Sequence, residues 1–170
     1  MSTLATPRTI LRPLTKPTQR TLVWLKDPEV VRYSEQRHQF HTLSSQLRYV
    51  NSFVGGSKLW GIYFAETGEH IGNISATHDE PHNVCDVGIM IGEKKYWGKG
   101  LGREAWKAAC DWLIDKDGGK MRKLEAGCMR PNVAMLRIIL NSGFKQEGEL
   151  LNHFLLDGAP VSGLLFGRMK

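Results

Sequence analysis

The chain has 170 residues, 41% of them hydrophobic and 24% charged, the composition of one globular domain with one core over residues 1–170. No apolar run is long enough to span a membrane, and Met1 to Pro13 lacks the apolar centre of an export signal, so a cytoplasmic protein is expected. The basic residues behind the formal net charge of +6 are not gathered on one helix or strand, which argues against a nucleic-acid module.

In chain order, Thr9 to Leu14 is a first strand, closed by Pro13. Thr18 to Lys26 and Ser44 to Phe53 read as helices, the second with Ser44 as its N-cap. Asp27-Pro28 and Gly55-Gly56-Ser57 are breaks. Leu59 to Glu66, His70 to His78 and Val84 to Ile91 form a meander of strands. Thr67-Gly68 makes its first turn, and Asp79 to Asn83 makes a longer second one.

A glycine loop follows, and an amphipathic helix from about Gly102 to Asp115 carries Ala105, Ala109, Trp112 and Leu113 at helical spacing. Gly118-Gly119 stops it. Lys123 to Met129 is a strand, and Asn132 to Asn141 a short helix ended by Gly143. Phe144 to Leu151 and Pro160 to Met169 are the last strands. Strands and helices in this order predict an α+β fold, a mixed sheet with helices packed on it.

The positive excess lies entirely before Trp60. There, nine basic residues (Arg8, Arg12, Lys16, Arg20, Lys26, Arg32, Arg37, Arg48 and Lys58) face only Asp27, Glu29 and Glu35. Solvated helix faces explain this, and a weak field drawing in an anionic ligand explains it as well. Cys85, Cys110 and Cys128 are far apart, with no Cys-x-x-Cys pair, and are expected as buried thiols without a disulfide or zinc site. His38 and His41 stand at helical spacing without a third ligand, and His78 and His82 flank Pro81, so no metal site is expected.

The segment Lys95-Tyr-Trp-Gly-Lys-Gly-Leu-Gly-Arg-Glu-Ala105 carries the most chemistry. Gly98, Gly100 and Gly102 alternate between an apolar strand and a helix start. Glycine lets backbone approach a ligand closely, and the free amides and positive helix end favour phosphate. The spacing fits neither a P-loop, Gly-x-x-x-x-Gly-Lys-Ser/Thr, nor a dinucleotide fingerprint in a first βαβ unit. A plain tight turn is the structural alternative.

These residues give a resemblance to the GNAT superfamily of N-acetyltransferases, and within it to the ribosomal-protein alanine/serine acetyltransferase-like branch. The family's acetyl-CoA signature, Gln/Arg-x-x-Gly-x-Gly/Ala, falls on Trp97-Gly98-Lys99-Gly100-Leu101-Gly102, with Trp97 in place of Gln/Arg. Asn132, Ala134-Met135, Gly143-Phe144 and Glu147-Gly148 follow at matching positions, and the likeness runs from about Ile10 to Phe166.

The resemblance implies a mostly antiparallel central sheet of about six or seven strands that parts at the acetyl-CoA site, with helices on both faces. It implies acetyl-CoA as cosubstrate, no metal, and a primary-amine acceptor. The backbone of Trp97 to Arg103, namely Trp97, Gly98, Lys99, Gly100, Leu101, Gly102 and Arg103, would hold the pyrophosphate. Met90 and Ile91 would present backbone groups to the pantetheine arm, Asn132 would bond it from the other side, and Met135 would pack on it.

Asp86 is at the position of the family's general base, and a structural Asp is its alternative. The family's usual general acids are replaced by Met135 and Ile139, which leaves water, His153 or Ser162. The acceptor would lie under the basic, aromatic N-terminal helices, whose Trp24, Tyr33, Phe40, Tyr49 and Phe53 are expected mostly in the core, and an amino sugar linked to a nucleotide fits there. A protein N-terminal amine, or non-catalytic acyl-CoA binding, are the alternatives. Dimers are common in such families.

Overall fold

A computed structural model of the protein describes residues 2–115 and 117–170. Strands β1 (Leu4–Ala5) and β2 (Thr9–Pro13) lead into helices α1 (Gln19–Lys26) and α2 (Leu43–Asn51). A 3-10 turn over Glu35–His38 lies between the helices. The meander is β3 (Lys58–Phe64), β4 (His70–Asp79) and β5 (Val84–Ile91). Helix α3 (Leu101–Ile114), β6 (Lys123–Met129), α4 (Val133–Leu140), β7 (Lys145–Leu156) and β8 (Ala159–Met169) complete the chain.

The described strands form one eight-stranded sheet in the order β1-β2-β3-β4-β5-β6-β8-β7. Seven of them are the strands read from the sequence. The eighth is the two-residue β1, too short to leave a periodic signal and formed by pairing Leu4 with Leu11. Every pairing is antiparallel except β5 with β6. A parallel pair needs a long crossover, and α3 is that crossover.

Alternation along β5 separates the two sides of the sheet. Cys85 and Val87 are buried in the main core, and Ile89 and Ile91 pack against it. Leu101, Ala105, Trp106, Ala109, Cys110 and Leu113 of α3 press into the same cluster. Trp112 of the predicted stripe is only partly buried, at the core's edge, its ring 5.7 Å from Trp60 in an edge-on contact. The other face of β5 carries Asp86, Gly88 and Met90, and α1 and α2 lie over that side around a cavity.

Two local expectations are corrected. Thr42, not Ser44, caps α2. Its hydroxyl accepts from the Ser45 amide at 3.0 Å while the Ser45 hydroxyl accepts from the Thr42 amide at 3.0 Å. This reciprocal pair satisfies two amides at once, which a cap at Ser44 could not. Likewise, Trp24 is core, but Phe40 is 87% exposed and Tyr49 41% exposed, so most of the N-terminal aromatic residues are not core.

Candidate active site

The sheet opens between β5 and β6. These strands pair only through Val84 to Lys123, Cys85 to Leu124 and Asp86 to Glu125. Beyond Asp86, β5 stays paired with β4 as far as Ile91 but has no partner on its other edge. The separated edges leave backbone groups free to receive an extended, peptide-like ligand.

Asp86 stands at the apex of this cleft. Asp86 is exposed to solvent although it lies within an apolar strand. The alternation explains this, because Asp86 points away from the face that packs on α3. Its pKa is nevertheless raised, first by desolvation in the surrounding cleft and then by the charge of Glu125. Water reaches the group, yet the concave walls crowd out much of its hydration. Glu125 itself bonds Lys123 at 3.0 Å, and Lys123 also reaches Glu147 at 2.7 Å.

The glycine loop lies at the end of β5, where α3 begins. Gly98 and Gly100 adopt left-handed backbone with φ of 73° and 78°. Side chains other than glycine are strained there. Gly100 occupies the N-cap position of α3, which has no side-chain cap bond. Gly102 is tight for another reason, since a Cβ there would lie 3.2 Å from Ile91.

Among the described residues, the amides of residues 98 to 103 donate to no protein acceptor. Open, left-handed backbone with free amides at a helix start fits a pyrophosphate. Lys99 and Arg103 are exposed beside it, Lys99 with its ammonium 5.5 Å from the Tyr96 ring centre.

Trp97 does more than replace the Gln/Arg of the signature. Its indole N–H donates to the Ile91 carbonyl at 2.7 Å. The Ile91 carbonyl, expected at the pantetheine arm, thus already accepts one bond within the chain and keeps a second lone pair. Met90 is paired with Asn73 of β4, and its carbonyl lies beside Gly72.

Across the cleft, Asn132 caps α4, with its side-chain oxygen accepting from the Met135 amide at 3.1 Å. Its side-chain NH2 has no described partner. Met135 packs against the main core, and Ile139 is wholly buried in it. His153 is exposed on β7, edge-on to Phe154. Ser162 accepts from the Asn152 amide at 3.3 Å and bonds Glu149.

On the α1/α2 side, a cavity of about 400 Å³ borders Gly88, Ile89 and Met90 of β5. Its wall includes Thr21, Gln46, Tyr49, Asn73 and Ser75, and no Asp, Glu, Lys or Arg. The Tyr49 hydroxyl end is enclosed while its ring edge is exposed. Burial raises its pKa, and a hydrogen bond with Ser75 offsets part of that.

The N-terminal charges are largely used elsewhere. Arg20 pairs with Glu69 and Glu93, Arg32 with Asp157, and Lys58 bonds the carbonyls of Gly55, Gly56 and Ser57.

With this geometry in view, the comparisons with known proteins are decisive. The family model described as Acetyltransferase (GNAT) domain matches residues 8–145. The chain belongs to the GNAT acetyltransferases.

Among proteins with curated functions, none matches. Solved structures do. A spermidine N-acetyltransferase from Vibrio cholerae, in complex with CoA and spermine, superposes with a TM-score of 0.81 at 16% identity, over 97% of each chain. The ribosomal-protein-S5-alanine acetyltransferase from Vibrio fischeri gives 0.74 at 16%, over 99% of this chain and 97% of that one. The microcin C7 self-immunity acetyltransferase MccE, in complex with acetyl-CoA and AMP, gives 0.77 at 15%, over 97% and 94%. At such identities the likeness shows the GNAT fold.

Reading the sequence missed several residues of this GNAT site. Arg8 braces the glycine loop, donating to the Lys99 carbonyl at 3.0 Å while its Nε and Nη2 grip Glu104 at 2.8 Å. Glu125 beside Asp86 and the polar wall of the cavity were also missed. Only the pairing of β5 with β6 brings Glu125 to Asp86, and only the packing of α2 over β4 brings Tyr49 to Ser75.

Conversely, the three thiols are free. Cys85 is pushed up to about 12, mainly by burial. Cys110 and Cys128 are also raised by burial, although Cys128 is only half-buried, against expectation. His41 is buried, its Nε2 2.9 Å from the Gln36 carbonyl, and no metal-binding cluster is found among the described residues. No described helix is long and apolar enough to cross a membrane.

Proposed function

We propose that the protein transfers the acetyl group of acetyl-CoA to the primary amine of an amino sugar, linked to a nucleotide. The carrying observation is the hydrogen-bonding cavity, free of Asp, Glu, Lys and Arg in its wall, that opens beside Gly88 and Met90 on the β5 face that also carries Asp86. Hydroxyl, amide and phenol groups suit a polyhydroxylated ring. A polyamine would need carboxylates to pair its ammonium groups, and the cavity wall holds none. The spermine in the Vibrio cholerae relative is therefore a poor guide to this acceptor, whereas the AMP in the MccE complex is in keeping with a nucleotide-bearing one.

In this reading the free amides of Gly98 to Arg103, with the side chains of Lys99 and Arg103, hold the pyrophosphate of acetyl-CoA, whereas the Trp97 amide, also expected there, already donates to the Lys94 carbonyl at 3.0 Å. Met90 and Asn132 hold the pantetheine arm from its two sides, and Met135 packs beside it. Asp86 takes a proton from the acceptor ammonium, through water, leaving a neutral amine. The nitrogen lone pair attacks the thioester carbonyl, a C–N bond forms, and the C–S bond breaks. The new amide nitrogen sheds its second proton, and the sulfur, leaving as thiolate, takes up that proton through solvent, because Met135 and Ile139 offer none.

The test is release of free thiol from acetyl-CoA with a panel of amines: free and nucleotide-linked amino sugars, polyamines, and peptides with varied N-termini. Amino sugars acetylated with the highest kcat/KM support the proposal. A peptide N-terminus acetylated at least as fast would overturn it in favour of a protein acceptor. Tight acetyl-CoA binding without thiol release from any amine would point to a non-catalytic module.

A further inference from the structure

We propose that the groove framed by Lys26, Arg32 and Phe40 is a second acceptor subsite, which takes a phosphorylated moiety bearing a planar ring, such as a nucleoside diphosphate. This deepens the amino-sugar reading and rests on it for the identity of the whole acceptor. The groove is separate from the glycine loop. It runs between the end of α1, the 3-10 turn at Glu35–His38 and the tip of the β7–β8 hairpin.

Its volume is about 600 Å³, within the range of ~300–1,000 Å³ common for small-molecule sites. Leu25, Gln39 and His41 line both this groove and the inner cavity, so the two are contiguous across those residues. The inner cavity is uncharged. The outer groove is lined by Lys26, Arg32 and Arg37 against the single acid Asp157. Charge therefore appears only one step outward from the site of acetyl transfer, where the phosphates of a linked sugar would emerge.

The three bases play different parts. Arg37 is committed to the fold, donating to the carbonyls of Ser34 and Leu155 at 3.1 Å and pairing with Glu35 at 3.2 Å, so it adds little field of its own. Lys26 is exposed and has no described ion-pair partner. Arg32 meets Asp157 at 2.7 Å, but both side chains are more than half exposed. Such a pair is weak, and a doubly charged phosphate competes well for the guanidinium fork.

Phe40 supplies the planar contact. It is 87% exposed, yet its backbone is held on both sides. On one side is the 3-10 turn, and on the other are the buried His41 and the Thr42 capping box. An exposed aromatic ring presented by fixed backbone at the rim of a basic groove is a stacking platform for a base. One exposed Phe alone would need no explanation. Its position beside two available cations is what calls for one.

The experiment is calorimetric titration of the full chain with uridine diphosphate, in saturating CoA so that the glycine loop is occupied. Inorganic pyrophosphate and uridine are titrated separately. Uridine diphosphate binds the wild type, and Lys26→Gln and Arg32→Gln each weaken it by about tenfold. Phe40→Ser weakens uridine diphosphate but leaves pyrophosphate binding unchanged. Circular dichroism and Tm of the three exposed-site variants stay at wild-type values.

No binding at millimolar ligand, or binding indifferent to all three substitutions, overturns the subsite. Because this readout involves no acetyl transfer, it separates the two readings. Binding with this dependence but no amino sugar acetylated leaves the subsite standing and removes the acceptor. Amino sugars acetylated without such binding do the reverse.

Discussion

Asp86 and Glu125 lie side by side on adjacent parallel strands, in the last register before β5 and β6 separate. The geometry puts two carboxylates on one face of the sheet at the mouth of the cleft. Desolvation and the Glu125 charge both favour the protonated form of Asp86. Lys123 pairs with Glu125 and so limits the repulsion. A carboxylate raised in this way is a better base near neutral pH than an ordinary exposed one.

Asp86→Asn should lower kcat by ~10²–10⁴-fold, the usual contribution of a general base. The asparagine keeps the shape and one acceptor oxygen, so Tm and the dissociation constant of acetyl-CoA should hardly move. Steady-state kinetics beside thermal unfolding checks this. Unchanged kcat across the pH range in a folded variant would remove Asp86 from the chemistry.

Glu125→Gln tests the coupling of the two. The Glu125 charge raises the Asp86 pKa, so removing it lowers that pKa. In the proposed mechanism activity requires ionised Asp86 and is lost as pH falls through its pKa. The acid limb of the kcat profile should therefore move to lower pH in Glu125→Gln. A limb that stays in place would show that the limb belongs to another group.

Gly100→Ala addresses the loop. With φ of 78°, this position costs an L-residue ~1–2 kcal/mol. Helix α3 would relieve that strain by shifting its first turn, which moves the amides meant for pyrophosphate. Thermal unfolding should register a loss of that order, and KM for acetyl-CoA should rise more than kcat falls.

Much of this was legible in the sequence because local signals agreed with the fold. Val84 to Ile91 reads as an apolar strand run, and β5 has those same bounds. The α3 stripe and the glycines preceding it likewise fell where expected, with the helix starting one residue earlier, at Leu101. What stayed hidden depends on partners distant in sequence. Glu125 acquires meaning only beside Asp86, and Arg8 only beside Lys99 and Glu104. The basic N-terminal excess looked like one field, but ion pairs with Glu69, Glu93 and Asp157 divide it. The second strand register of β7, broken between Leu150 and Phe154, carries the strand past its expected end at Leu151 to Leu156.

Glu69 provides a prediction on stability against pH. Its carboxylate accepts from Lys95 at 2.7 Å, from the Tyr96 hydroxyl at 2.8 Å and from Arg20 at 2.9 Å. It thereby ties α1 to the turn that leads into the glycine loop. These contacts, Lys95 foremost, lower its pKa from 4.5 to about 2. A depressed carboxylate pKa contributes stability that is fully present above the unfolded value and is lost as pH falls through the folded one. The contribution should thus be complete above pH 4.5 and should fade between 4.5 and about 2. Glu69→Gln keeps an acceptor for Tyr96 but loses the charge. It should cost about 1 kcal/mol at neutral pH, since exposed cations return little of a pair's Coulomb energy. The difference from wild type should shrink toward zero as the pH is lowered across that window. Urea unfolding of both proteins at a series of pH values measures it, and a difference that persists at pH 2 would mean that packing, not charge, makes Glu69 stabilising.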